Sequence, residues 1–271
     1  MVALISGARV AAADVPKRVV SMNLCTDQMA MLIADGGQLH SVSYLASDPG
    51  SSVLADRAGT YAVNHGQAEE VFLMQPDLVL AGTFSTRSTV ALLRRLGFRV
   101  EEFAPEDSFD DVRTNLRRMG DLLGRREKAE EIVAELDGHL KTLGTSQAVT
   151  ASVATYYANS YTSGSGTLVD AVISASGLIN VAARLGLTGT TRLPLELLVL
   201  AKPDVLVSGE GRHDTPALAN ENFVHPAFRA IWQSTTSMSI APKYTICGGP
   251  FTAEAARMLR DAASAKGSGA R

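Results

Sequence analysis

Glu69 stands seven residues before Pro76-Asp77, which the apolar run Leu78-Val79-Leu80-Ala81-Gly82 follows. Glu196 stands seven residues before Pro203-Asp204, which Val205-Leu206-Val207-Ser208-Gly209 follows. The two stretches lie 127 residues apart and match in the acid, the gap, the strand-like run and the closing Gly. A duplicated unit implies two similar lobes in one chain, and a cleft between lobes is a favoured place for a ligand.

Around these units the chain alternates strand and helix patterns, which predicts α/β lobes with mainly parallel central sheets. Arg18 to Asn23 reads as a first strand, and Thr26 can cap the helix after it. Glu69 and Glu70 open a short helix, where acids suit the dipole, and Pro76 ends it. Asp110 to Leu123 has helical spacing of Val112, Leu116, Met119 and Leu123. Arg126 to Leu143 carries Ala129, Ile132, Val133, Leu136, Leu140 and Leu143 on one stripe, a helix of about 27 Å. It lies between the duplicated halves and is the natural single backbone helix joining them. The expected organisation is an N-terminal lobe over 14–124, a linking helix over 125–144 and a C-terminal lobe over 145–265. The final helix is expected from Pro250 to Ala263, with a disordered tail from Lys266.

The 271 residues are 46% hydrophobic with a net charge of −3, which supports a folded core and gives no electrostatic footprint for nucleic acid. No apolar run reaches the length of roughly 20 residues that a membrane-spanning helix needs. Met1 to Ala8 is apolar and small, and Ala11-Ala12-Ala13 before Asp14 fits signal-peptidase cleavage. The expectation is the tail of a truncated signal peptide and export to the periplasm; a frayed Ala-rich terminus is the alternative. No Cys near this point offers a lipid anchor. Cys25 and Cys247 can form one disulfide tying the lobes, or remain two buried thiols near the cleft entrance. The room a large ligand needs weighs toward the thiols.

No Gly-x-Ser-x-Gly nucleophile turn is present in a strand–helix context. Gly164-Ser165-Gly166-Thr167 can hold an anion on its amides but lacks the Lys of a phosphate-binding loop. The five His residues are scattered, with no i,i+4 pair, so they do not read as a bare metal site. The aromatics point elsewhere. Tyr44, Tyr61, Phe84, Tyr156, Tyr157 and Tyr161 are assigned to strand ends and the loops after them, where open α/β sheets bind ligands. Asn23 and Thr83 close the same ends, and Arg87 and Arg192 can pair with ligand carboxylates or phosphates. Trp232 reads as core.

Pro16-Lys17-Arg18-Val19-Val20-Ser21, Glu69 with Pro76-Asp77-Leu78-Val79, Leu96-Gly97, Gly166-Thr167-Leu168, Gly177 to Ala182, and Leu195-Glu196 with Pro203-Asp204-Val205 occur in an order that resembles a known family. It is that of periplasmic binding proteins of ABC importers carrying iron–siderophores, haem and vitamin B12. The resemblance implies two α/β lobes, a metal chelate in the cleft and no resident cofactor. It further implies a monomer that docks on a permease dimer at the inner membrane through Glu69 and Glu196. The chain departs from the family pattern at Leu24-Cys25-Thr26-Asp27 and at Cys247-Gly248-Gly249-Pro250-Phe251. Ferric siderophores come first as ligand, corrinoids second and haem third. The competing reading is a bilobal chelatase-like enzyme acting on a tetrapyrrole, which needs a His and an acid facing one cleft. His65 with Glu69 or Glu70 is the only close pair, and it is expected on the outer side of its lobe.

Overall fold

The computed structural model describes residues 15–85, 87–144, 151–209 and 218–268. The signal-peptide reading at 1–14 lies outside them. The first lobe runs β1 (Val19–Ser21), α1 (Leu24–Ile33), β2 (Leu39–Ser43), α2 (Ala55–Ala58), β3 (Ala62–Asn64), α3 (Ala68–Leu73), β4 (Leu78–Gly82), α4 (Arg87–Arg95) and β5 (Val100–Phe103). Its strands form one parallel sheet in the order β3-β2-β1-β4-β5. Every residue of β1 and β4 is buried, which is why they are continuous apolar runs rather than alternating ones.

Two helices follow, α5 (Phe109–Leu123) and α6 (Arg126–Gly144). Ser108 caps α5 by accepting from the Asp111 amide, and Gly124 ends it at φ 67°, a left-handed cap that glycine adopts without strain. The second lobe runs β6 (Ser152–Thr155), β7 (Tyr161–Ser163), α7 (Leu168–Ala175), β8 (Ile179–Asn180), α8 (Val181–Arg184), β9 (Thr190–Arg192), α9 (Leu195–Ala201), β10 (Val205–Gly209), α10 (Glu221–Val224), α11 (Pro226–Ser234), β11 (Thr236–Ile240) and α12 (Thr252–Ser268). Its main sheet is parallel, in the order β11-β10-β6-β8, with a separate antiparallel ribbon of β7 and β9. The last helix extends to Ser268, so the expected disordered tail from Lys266 is corrected over its first turn.

The duplicated Pro-Asp has the same structural task twice. Asp77 accepts from the backbone amides of Lys17 (2.7 Å) and Arg18 (3.0 Å), which lead into β1. Asp204 accepts from the amide (2.9 Å) and hydroxyl (2.9 Å) of Ser152, which opens β6. Each carboxylate thus satisfies orphan donors at the entry of the neighbouring central strand. The residues before the two prolines, Gln75 and Lys202, both take left-handed backbone (φ 49° and 44°). That conformation turns each helix end into its strand, since the right-handed region is disfavoured before proline.

The α6 stripe is buried as its spacing predicts, at Ala129, Ile132, Val133, Leu136 and Leu143. These residues belong to one continuous core that includes Val19, Leu78 and Leu116 on one side and Val153, Val172, Val205 and Leu259 on the other. Gly138 lies inside α6 on its exposed face, with open space where a Cβ would stand. It costs the helix about 1 kcal/mol relative to Ala, less than burial of a single Leu contributes. Arg260 of α12 donates to the carbonyl of Leu143 and fastens the last helix to the end of α6.

The segment between β11 and α12 crosses to the first lobe. Lys243 donates its amide to the Gly50 carbonyl (3.2 Å), and Gly248 donates to Glu106 Oε2 (3.3 Å). A Cβ on Gly248 would lie 2.3 Å from Val112, so only glycine permits this approach. Cys247 is bonded to Cys25, with Cα atoms 5.1 Å apart. The weighting toward free thiols is therefore corrected: the bridge fits where the crossing segment meets the first lobe, beside the Gly248 contact. Cys25 lies in the first turn of α1 after β1, and Cys247 lies seven residues past β11 in the segment that crosses to the first lobe, so the bridge links the two lobes there.

Asp27 on α1 is fully buried and accepts from the amide (3.1 Å) and hydroxyl of Ser43 at the end of β2. Burial pushes its carboxyl up to about 7 from an ordinary 3.8, against the lowering effect of the Ser43 bonds. Between those values the folded chain keeps a proton that the unfolded chain releases, so this site's contribution to stability falls as pH rises through that window.

Three outcomes follow from this frame. Denatured, unreduced protein will show no reactive thiol, and reduction will lower stability by up to about 5 kcal/mol, because the bridge closes a loop of more than two hundred residues. Two titratable thiols would exclude the bridge. Asp27→Asn will flatten the decline in melting temperature between about pH 4 and pH 7; parallel curves for the two proteins would contradict the buried proton. Small-angle scattering with and without ligand will give nearly equal radii of gyration, and a large contraction on binding would count against a rigid α6.

Candidate functional site

In the first sheet the chain order reverses between β1 and β4, and the crevice at their carboxyl ends is the expected ligand position in an open α/β sheet. A cavity of about 320 Å³ lies there, lined by Met22, Asn23, His65, Gln67, Phe84 and Ser85 among others. Asn23 caps α1, accepting from the amides of Cys25 (3.0 Å) and Thr26 (3.5 Å). Gly82 permits this, because a Cβ there would stand 2.9 Å from the Asn23 amide nitrogen. Gly82 thus leaves room for the Asn23 side chain at the cavity. Phe84 is 86% exposed at the rim, and Thr83 beside it is exposed too.

The turn after β3 supplies the rest of this wall. Asn64 is buried, donates to the Ser21 carbonyl (2.8 Å) and the Ser41 hydroxyl (2.8 Å), and accepts from the Gly66 amide (3.1 Å). These bonds fix the next residue, His65, against the cavity. Its Nδ1 lies 3.0 Å from Glu70 Oε1, and Glu70 Oε2 accepts the His65 backbone amide at 2.7 Å. That amide bond is the main reason the Glu70 carboxyl is held below its usual range. Tyr44 stacks on the His65 ring, with centroids 5.5 Å apart and planes 21° apart. The expectation that His65 faces the outer side of its lobe is corrected. Three-residue β3 is too short to carry a strand pattern, so the sequence does not mark the turn after it as a strand end.

The second lobe presents Tyr157, Tyr161 and Arg192. Asn159 and Ser160 take left-handed backbone (φ 56° and 61°), a strained turn of the kind that collects at binding sites. Tyr161 and Arg192 are register partners on the β7–β9 ribbon, with the guanidinium 5.7 Å from the ring centre. Both are exposed. Tyr157 is half-buried; its hydroxyl bonds with Thr155 and Ser163, and burial pushes the phenol above its usual range.

Three sequence-predicted residues fall elsewhere. Tyr156 is fully buried, stacks on Phe228 (5.5 Å) beside Phe223, and bonds Ser160 through its hydroxyl. As the residue next after β6 it points to the interior face, so it belongs to the core. Trp232 continues the same aromatic stack on Phe228, as expected. Tyr61 precedes β3 and packs on the main core, at the amino end of the sheet, opposite the site. Arg87 is exposed at the start of α4 but does not line the cavity.

Glu69 and Glu196 are both exposed, each in the first turn of its short helix. Each has exposed apolar neighbours: Phe72 and Leu73 on α3, Leu197 and Leu200 on α9. A further cavity of about 430 Å³ lies between α1, α6 and α12, lined by Leu32, Leu54, Glu135, His139 and Phe251 among others. It sits among the frame helices, away from the strand ends, and none of the sequence-predicted residues lines it.

A family model described as periplasmic binding protein matches residues 19–224. A cobalamin-binding protein of Halobacterium salinarum is 30% identical over 204 residues, covering 72% of this chain and 54% of its own length. The chain thus spans about half of that relative. Two solved structures share the architecture. The periplasmic heme-binding protein RhuT from Roseiflexus superposes with a TM-score of 0.71 at 23% identity, over 91% of this chain and 99% of its own. The ABC-type Fe3+-hydroxamate transport protein from Saccharomonospora viridis does so with 0.66 at 19%, over 91% and 93%. At these identities the structures establish the two-lobed fold alone, while the family match spans most of the chain. The chain belongs to the periplasmic binding protein family.

Proposed function

We propose that the protein captures a metal chelate between the carboxyl ends of its two sheets and delivers it to an ABC permease from outside the cytoplasmic membrane. The observation that carries this is the presence of strand-end aromatics on both lobes, one of them at the rim of the switch-point cavity. Phe84 and Tyr44 stand on one lobe, Tyr157 and Tyr161 on the other, and the Cys25–Cys247 bridge links the two lobes. Broad apolar faces with polar tips suit a large, partly polar ligand. Among the described residues no three His, Cys, Asp or Glu side chains gather as a metal site, so a metal ion is better carried with its own chelator. Family relatives named for cobalamin, heme and ferric hydroxamate agree with this class of ligand. They are binding proteins, and neither family nor fold supports the chelatase-like enzyme.

Titration of the purified protein with haemin, aquocobalamin and ferrioxamine, followed by quenching of intrinsic fluorescence, tests the reading. It predicts saturable one-to-one binding of at least one chelate; no saturation with any would overturn it.

Glu69 and Glu196 are assigned to the permease. They occupy equivalent exposed turns of duplicated units, which suits two matching basic pockets on a symmetric partner. Reversal of both charges to Lys will weaken docking on the reconstituted permease on the order of tenfold or more and leave the chelate dissociation constant unchanged. Loss of chelate binding in that double variant would show that these residues serve the cleft instead.

A further inference from the structure

The cavity of about 430 Å³ between α1, α6 and α12 has the size of a small-molecule site. Three parts of the chain wall it: Leu32 and Leu54 from the first lobe, Leu143 from the end of α6, and Pro250, Phe251 and Ala253 from the entry to α12. Leu32 and Leu54 pack on the main core yet are only partly buried, so the cavity keeps apolar surface open. It shares no residue with the cavity at the carboxyl ends of β1 and β4.

Charge at the mouth sets the chemistry. Glu135, His139 and Thr142 follow one another at i, i+4 and i+7 on α6, line the cavity and are exposed. Glu254 and Arg257 contribute from α12. Arg257 is already engaged, donating to both oxygens of Glu254 (2.8 and 2.5 Å) and to Asp261 (2.6 Å). That pairing holds the Glu254 carboxyl below its usual range, so it stays ionised. Glu135 has no hydrogen bond or ion pair among the described residues. Glu135, Glu254 and Asp261 thus face a single fixed cation, and His139 offsets them only when protonated.

We propose that this cavity is a second binding site, for a small hydrophobic amine whose apolar body lies against Leu32, Leu54 and Phe251 and whose ammonium pairs with Glu135. An anionic ligand of the same shape would meet Glu135 and Glu254 and find Arg257 occupied. Because both lobes and α6 wall the cavity, an occupant touches all three and stabilises the folded frame by mass action. The site is independent of the chelate reading above.

The test compares two ligands of one shape and opposite charge. The full chain is titrated calorimetrically with 3-phenylpropylamine and with 3-phenylpropionate, and melting temperatures are recorded with each. The amine will bind one-to-one, roughly tenfold tighter than the carboxylate, and will raise the melting temperature. Glu135→Gln will remove most of that preference. Thr142→Trp, which places bulk in the mouth, will abolish amine binding. Both positions are exposed on α6, so the ligand-free variants will melt close to the wild type. Absence of saturable amine binding, equal affinity for the two ligands, a preference unchanged in Glu135→Gln, or amine binding unchanged in Thr142→Trp would each overturn the proposal. The wild-type comparison of the two ligands decides even if a variant fails to fold.

Discussion

The apolar stripe of α6 buried against both lobes is the constraint on which the rest of the molecule depends. Leu136 and its neighbours join the first-lobe helices to α7 and α12 in one core, so the two sheets have a fixed relation. The Cys25–Cys247 bridge, the Glu106–Gly248 bond and the Lys243–Gly50 bond close the other margin. A cleft framed at two margins is preorganised. On the proposed function, binding energy would then not be consumed in drawing two loose lobes together.

The duplicated unit combines two kinds of residue under one motif. Its Pro-Asp serves folding: Asp77 and Asp204 satisfy the amides that open β1 and β6, and Gln75 and Lys202 turn the helix into the strand. Its Glu stands in the exposed first turn of a short helix in both lobes. The closing Gly82 belongs with the site, because it admits the Asn23 side chain that caps α1.

Much of this was legible in the sequence. The long apolar stripe of α6 and the buried runs of β4 and β10 announce themselves by period and by continuity. Short elements do not. The three residues of β3 are too few for a pattern, and β11 (Thr236–Ile240) is a half-polar edge strand. So short a strand leaves no pattern that puts His65 at its carboxyl end and Tyr61 at its amino end. Tyr156 shows a different limit. One residue of register decides whether a strand-end aromatic faces ligand or core, and the partners that hold it inward, Phe223 and Phe228, are far along the chain. The disulfide was undecidable for the same reason, since its geometry depends on a crossing segment whose tight fit rests on Gly248.

A crystal structure of the protein with its retained chelate tests the central claim most directly. The account predicts the chelate between the strand-end loops, touched by Phe84 from one lobe and Tyr161 from the other, with the α6 frame unmoved. A chelate seated instead in the cavity between α1, α6 and α12, against Leu54 and Phe251, would contradict it.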